Sequence, residues 1–173
     1  MRYPVLERDE KLSQQRREFF DQVAPQHEKP GPFKRYYNAR LKKIVGFNIP
    51  PGSSVLELGC GTGDLLASLL PARGVGVDFS AEILKLARER HPELEFIEAD
   101  VHMLELNETF DYVLLSNLIG DLVDVQRVLV RLESVCTERT RIIVTDFNYL
   151  WSPLVKLAEK LGIKPRQREQ NWL

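Results

Sequence analysis

The spacing of apolar residues changes character along the chain. From Leu6 to Val23 charged and amide-bearing residues dominate, with Phe19, Phe20 and Val23 as a short apolar patch, which predicts a helix with one sticky face. Ala24 to Pro32 holds three prolines and a glycine and reads as a loop. Tyr36, Tyr37, Leu41, Ile44 and Val45 then recur at helical spacing, so a second helix is expected over Phe33 to Phe47, stopped by Pro50, Pro51 and Gly52. From Ser54 onward short apolar runs alternate with helical ones. Strands are expected at Val55 to Leu58, Gly74 to Asp78, Glu95 to Ala99, Tyr112 to Leu115 and Arg141 to Thr145. Between them, helices are expected at Asp64 to Leu70, from a Ser80 cap to near Pro92 on Ile83, Leu84, Leu86 and Ala87, and at Asp121 to Val135 on Leu122, Val125, Val128, Leu129, Leu132 and Val135. Ser152 and Pro153 open a last helix that stops at Gly162, and a polar tail runs from Ile163 to Leu173. Strand-helix alternation of this kind implies an α/β fold with a mainly parallel sheet of about five strands and right-handed crossovers.

At 173 residues the chain is expected to form one domain: a helical cover over 1–50, a core over 51–150, and a C-terminal helix and tail over 151–173. A net charge of -1 leaves no electrostatic footprint for nucleic acid or an anionic membrane, so a small-molecule partner is expected and a nucleic-acid partner is not. No apolar run is long enough to span a bilayer, and the charged N-terminal segment is not expected to be a signal peptide. Two cysteines, Cys60 and Cys136, are too few for a disulfide framework and read as reduced thiols, which points to the cytoplasm. Three scattered histidines give no metal-ligand spacing, so no metal site is expected.

The informative segment is Val55 to Leu66. A buried strand delivers Glu57, then Gly59, Gly61 and Gly63 alternate around Cys60, and a helix begins at once. Glycines there let the backbone turn sharply or let a ligand approach where a Cβ would collide. The ligand is expected at the carboxyl end of the first strand, near the topological switch point. Asp78 ends the second strand, where a carboxylate can accept both ribose hydroxyls, and Asp100 ends the third, where one can accept from an adenine amino group. The dinucleotide fingerprint spaces its glycines differently to admit a pyrophosphate. Here Glu57 and Asp64 flank the loop, a field that repels pyrophosphate and favours a ligand carrying positive charge, such as a sulfonium with an ammonium group.

These residues resemble the class I S-adenosylmethionine-dependent methyltransferases, and in particular the ubiquinone/menaquinone type. Glu57, Gly59, Gly61 and Gly63 match the family's first motif, Asp78 its ribose-binding acid, and Asp100 with Val101 its adenine-contacting pair. Ser116, Asn117 and Leu118 follow the fourth strand, where the family lines the cofactor with backbone and small polar groups. Phe19-Phe20-Asp21 with Val23-Ala24-Pro25 resembles the segment that helps to close the pocket. Tyr36 and Tyr37 either join that cover or are ordinary helix-packing aromatics. The resemblance implies a Rossmann-like three-layer sandwich with N-terminal helices over the site. It implies S-adenosylmethionine as cofactor, held by Glu57, Gly59, Cys60, Gly61, Gly63, Asp78, Phe79, Asp100, Val101, Ser116, Asn117 and Tyr36.

The family usually ends with a further helix and an antiparallel strand pair, and the residues up to Leu173 do not supply them. Ile142 to Val144 would then be an exposed apolar edge unless the Trp151 to Leu161 helix, the polar tail or a second copy covers it, and homodimerisation through this end is the hypothesis. Methyl transfer needs mainly positioning and desolvation, with a base only if the acceptor must lose a proton. Asp121, Asp146, Tyr149 and His27 are candidates. Asp121 is better read as a helix N-cap and no base is assigned, while His91 and His102 read as surface residues. Three functions follow: a small-molecule methyltransferase, a non-catalytic methyltransferase-like partner module or fragment of a longer enzyme, or, against the glycine spacing and flanking acids, a nicotinamide-dependent oxidoreductase.

Overall fold

The computed structural model describes residues 31–146 together with Gln14, Arg17 and Asp21. The expected helix from Ser152, the tail, Tyr149 and His27 lie outside the described residues. Five strands, β1 (Ser54–Leu58), β2 (Arg73–Asp78), β3 (Glu95–Glu98), β4 (Tyr112–Ser116) and β5 (Arg141–Thr145), form one sheet in the order β3-β2-β1-β4-β5. Every pairing is parallel. This is the expected Rossmann-like arrangement, with each strand boundary within a residue of the apolar runs that foretold it.

Register explains how one strand serves two layers. Leu56 and Leu58 stand beside Val75 and Val77 on one side and Val113 and Leu115 on the other. Side chains alternate across a strand, so these residues share one face. That face is packed by Leu122, Val128, Leu132 and Val135 from α4 (Val125–Arg131) and the 3₁₀ turns that flank it. Val55 and Glu57 point the other way. There α1 (Pro32–Asn48) and α2 (Asp64–Ser68) bring Val45, Leu66 and Leu69 against Val55 and Leu114. On the same face α3 (Ala81–Arg90) lays Leu84 and Ala87 on Phe96.

The helix starts follow capping chemistry. Ser80 Oγ accepts from Ile83 N at 3.3 Å, as its sequence position predicts. The long helix expected from Asp121 to Val135 is instead a 3₁₀ turn at Ile119–Asp121, then α4, then a second 3₁₀ turn at Leu132–Val135. Its cap is Asp124, whose Oδ1 accepts from Arg127 N at 2.9 Å. The N-cap reading of Asp121 is therefore corrected: Asp124 has the extended backbone that a cap needs, whereas Asp121 lies inside a helical turn.

Candidate functional site

The strand order reverses between β1 and β4, so the loops after these two strands diverge and leave a crevice at their carboxyl ends. The loop after β1 is built on three left-handed glycines, Gly59, Gly61 and Gly63, with φ of 68°, 53° and 72°. Their surroundings differ. A Cβ on Gly63 would lie 2.6 Å from Phe96 Cζ, and one on Gly59 would lie 2.8 Å from Leu118 Cδ1. A Cβ on Gly61 would meet nothing within 4 Å. Gly59 and Gly63 thus serve packing as well as backbone conformation, and Gly61 is where the loop opens. Cys60 is buried, with Sγ 2.8 Å from where a Gly76 Cβ would stand, so it locks the loop onto β2 and offers the crevice only backbone.

Glu57 sits beneath this loop. In register it lies between Gly76 and Leu114, which explains its burial. One carboxylate oxygen, Oε2, has no hydrogen-bond partner. Burial, reinforced by the negative charges of Asp78 and Asp64, pushes its pKa up to about 8, against the opposing pull of a hydrogen bond from the Leu66 backbone and the charge of Lys42. An unpartnered buried carboxylate is costly unless a donor arrives. At the foot of a loop that opens at Gly61, that is a place for a ligand's cationic group, and the residues present fit the ammonium-bearing cofactor that the sequence suggested.

Asp78, at the end of β2, is buried too. Its Oδ2 accepts from Gly61 N at 2.9 Å and its Oδ1 from Ser80 N at 3.1 Å. Burial raises its pKa and the backbone amides of Ser80, Gly61 and Phe79 oppose the rise, while the Asp21 carboxylate adds to it. The acid at the ribose position therefore also ties the loop to β2. Half-buried Phe79 follows it. Asp21 reaches the same strand end, where Ser80 Oγ donates to its carboxylate. Arg17 pairs with Glu98 at 3.9 Å, on the surface. These two contacts bring Arg17 and Asp21 to the β2–β3 end.

Asp100 turns the chain after β3. Its Oδ1 accepts from His102 N at 2.9 Å and lies 2.6 Å from His102 Nδ1. His102 Nε2 accepts from Asp124 N at 3.2 Å, so the ring hydrogen sits on Nδ1 and is donated to Asp100. His102 is buried beside buried Val101, which corrects its reading as a surface residue. His91 is corrected likewise: it is largely buried, with Nε2 2.9 Å from Asp64 Oδ1. Burial would raise the Asp64 pKa, but bonds from His91 and Thr62 and the charges of Arg90 and Lys42 hold it below the usual carboxylate range. The loop's second flanking acid thus stays ionised and paired with its neighbours, and Glu57 is the group left to gain charge when a cation arrives.

Across the crevice, Asn117 follows β4 with φ of 53°, a conformation that asparagine tolerates better than most residues. Its N–H donates to Thr145 O at 2.8 Å and its Oδ1 accepts from Tyr37 Oη at 2.6 Å. Ser116 Oγ accepts from Thr145 Oγ1 at 3.2 Å and from Asn117 Nδ2 at 3.4 Å. Burial raises the Tyr37 pKa, opposed by the Asn117 hydrogen bond and helped by the Asp146 carboxylate, so the phenol is a donor and not a ready base. The tyrosine of α1 that reaches this strand end is Tyr37. Tyr36, one residue further around the helix, is exposed. Tyr37 belongs to the stripe Tyr37-Leu41-Val45, whose spacing of four marks the inward face. His102 had a fainter signal, two residues after a strand-end aspartate, the spacing of a local side-chain turn.

A family described as a methyltransferase domain matches residues 49–170. The chain belongs to that family. It is thereby one of the class I S-adenosylmethionine-dependent methyltransferases its motifs resemble, which sets the nicotinamide reading aside. A 2-phytyl-1,4-naphtoquinone methyltransferase of Trichormus variabilis is 28% identical over 86% of this methyltransferase and 77% of its own length. A demethylmenaquinone methyltransferase of Bacillus licheniformis is 33% identical over 47% of this chain and 39% of its own length. Among solved structures, the methyltransferase bound to the Trm112 activator of Haloferax volcanii superposes with a TM-score of 0.67 at 19% identity, covering 88% of this chain and 69% of that one. The [4+2]-cyclase SpnF also reaches 0.67, at 19% identity, covering 78% of this chain and 60% of that one. Both likenesses show the fold.

Proposed function

We propose that this methyltransferase binds S-adenosylmethionine in the β1–β4 crevice and methylates a small, ring-bearing acceptor of the quinol class. The observation that carries the first half is the partnerless Glu57 Oε2, buried on β1 at the foot of the glycine loop. The acceptor class rests on relatives named for naphtoquinone and demethylmenaquinone methylation.

When bound, S-adenosylmethionine supplies a methyl carbon activated by its sulfonium. The chain's own residues bind, orient and exclude water. Glu57, backed by Lys42 and the Leu66 amide, takes the ligand's cationic end. Gly61 would leave room for the ligand to approach the backbone, Asp78 and Phe79 would hold the ribose, and Asp100 with Val101 the adenine. Ser116 and Asn117 line the side towards β4, and Tyr37, donating to Asn117, closes that side without acting as a base. No side chain is assigned as a base. A quinol hydroxyl would give its proton to solvent, and the ring carbon would take the methyl as the sulfonium C–S bond breaks. The ring proton would then leave carbon as the carbonyl oxygen regains one, for a net release of one proton.

The free thiols of Cys60 and Cys136 support a reducing, cytoplasmic setting, and no helix among the described residues is long and apolar enough to cross a membrane. Exposed Ile142 and Val144 on β5, an edge strand among the described residues, support a homodimer through that edge. A second reading, a partner module without catalysis, draws on Asp78, whose two oxygens already hold backbone amides. Calorimetric titration with S-adenosylmethionine, its demethylated product and NAD separates these readings. Binding of the first two alone supports the enzyme, and binding of none supports the module. Light scattering tests the dimer.

A further inference from the structure

Helix α1 has two faces, and the site uses one. Leu41 and Val45 pack inward, Tyr37 reaches Asn117 and Lys42 acts on Glu57 and Asp64. The other face carries large apolar side chains in the open: Phe33 is 78% exposed, Tyr36 66%, Ile44 55% and Phe47 91%. At 100° per residue these four fall within an arc of about 80° and run about 21 Å along the axis. Arg40 lies inside the arc and Lys43 at its border, both exposed and neither ion-paired among the described residues. Scattered apolar residues on a surface need no explanation, but an aligned set of this size marks an interaction surface.

Charge selects the partner. The helix carries Lys34, Arg35, Arg40, Lys42 and Lys43 and no acid, in a chain whose net charge is -1, so the remainder carries six more negative than positive side chains. A second copy would set two such cationic faces against each other, which repels. A nucleic acid would be repelled by the acidic remainder as it wrapped around the domain. A flat anionic surface that accepts aromatic side chains between its headgroups meets neither objection, and a basic helix with exposed aromatics has the make-up of an interfacial one.

We propose that the Phe33–Phe47 stripe docks the enzyme on an anionic lipid bilayer. Because α1's inner face closes the crevice through Tyr37, docking places the site at the surface where a lipid-dissolved acceptor would be met. That last consequence rests on the quinol-class reading, whereas the docking itself does not.

The test is co-sedimentation of the full chain with vesicles of phosphatidylcholine alone and of phosphatidylcholine mixed equally with phosphatidylglycerol. The wild type is expected to pellet with the mixed vesicles, to bind the neutral ones about tenfold more weakly or less, and to be released by salt. Two double variants, Arg40→Glu with Lys43→Glu and Ile44→Ser with Phe47→Ser, should each weaken binding by about tenfold or more. Their thermal midpoints should match the wild type because the side chains are exposed. Variants that bind like the wild type, no vesicle binding, a dimer by light scattering that the Ile44/Phe47 variant dissolves, or preference for a single-stranded oligonucleotide would each overturn the proposal. A parallel titration with S-adenosylhomocysteine keeps the two ideas apart: vesicle binding without nucleoside binding sinks the functional reading alone, and the reverse sinks the docking alone.

Discussion

On the β1–β3 side of the crevice each strand-end acid accepts at least one backbone amide: Glu57 from Leu66, Asp78 from Gly61 and Ser80, and Asp100 from His102. On the β4–β5 side the polar side chains hold one another, Ser116 with Thr145 and Asn117, and Asn117 with a tyrosine that arrives from a helix outside the sheet. Backbone donors are fixed by the fold and cost nothing further to aim, which is preorganisation. The side-chain cluster keeps its arrangement only while α1 stays in place. We propose that the first half holds the cofactor's constant parts and that the second, which also lines it through Ser116 and Asn117, leaves side chains free to vary with the acceptor. That division suits an enzyme whose cofactor is shared across a family and whose acceptor is not.

The largest expected effect tests the rigid half by separating packing from ligand space. Gly63→Ala places a Cβ 2.6 Å from the buried Phe96 ring at a φ of 72°, and should cost about 2–4 kcal/mol in urea unfolding. Gly61→Ala meets no atom and should cost only about 1–2 kcal/mol from its positive φ, yet weaken S-adenosylhomocysteine binding more than Gly63→Ala does. Equal binding losses would remove Gly61 as the loop's opening.

Next comes Glu57, where pH gives the sign. An unfolded glutamic acid loses its proton near 4.5 and the folded one near 8. Between those values the folded state binds more protons, so this group's contribution makes stability fall as pH rises from about 4.5 to about 8, and level off above. Glu57→Gln should flatten that decline, seen as thermal midpoints across the range, while weakening cofactor binding about a hundredfold (a charged hydrogen bond of up to about 3 kcal/mol). A cationic ligand favours the ionised carboxylate, so wild-type affinity should climb towards pH 8. Calorimetry in buffers of differing ionisation enthalpy should then show a proton released on binding. No release at pH 7 would mean that the ligand's charge lies elsewhere.

His102 sharpens the contrast from within the rigid half. Its two ring nitrogens serve Asp100 and Asp124 separately. Asparagine can replace the Nδ1 donor and glutamine the Nε2 acceptor, so His102→Asn should preserve nucleoside affinity and His102→Gln should preserve α4's start. Each should cost about 1–2 kcal/mol of stability for the bond it loses. Identical behaviour of the two variants in binding would show that the histidine does not orient Asp100. The smallest effect belongs to the adaptable half. Tyr37→Phe should cost about 1 kcal/mol and lower kcat/KM for the acceptor while leaving S-adenosylhomocysteine affinity unchanged, and a drop in that affinity would merge the two halves.

The parallel sheet was legible because its three central strands are buried on both faces and so read as short, almost uninterrupted apolar runs. Val55–Leu58 into Gly59, Gly74 to Asp78 and Tyr112 to Leu115 needed nothing more. The helix after β4 was less legible: Leu122 to Val135 keeps one apolar spacing through a 3₁₀ turn, a helix and another 3₁₀ turn, and periodicity does not register the change of winding. With two aspartates near its start, only the backbone shows that Asp124 is the cap.

By itself the sequence determined the strand order's ingredients, the glycine loop and the three strand-end acids, because all of these are written within a few consecutive residues. The tertiary structure decided everything that depends on how a helix is turned or what lies opposite a strand end. It turned Tyr37 towards Asn117 and Tyr36 outwards, buried His102 between two aspartates and paired Asp64 with Arg90 and His91. It also left Glu57 with one oxygen unpartnered. Rotation about a helix axis and burial of a charge are set by residues distant in sequence, and their energies exist only once the sheet has brought those residues together.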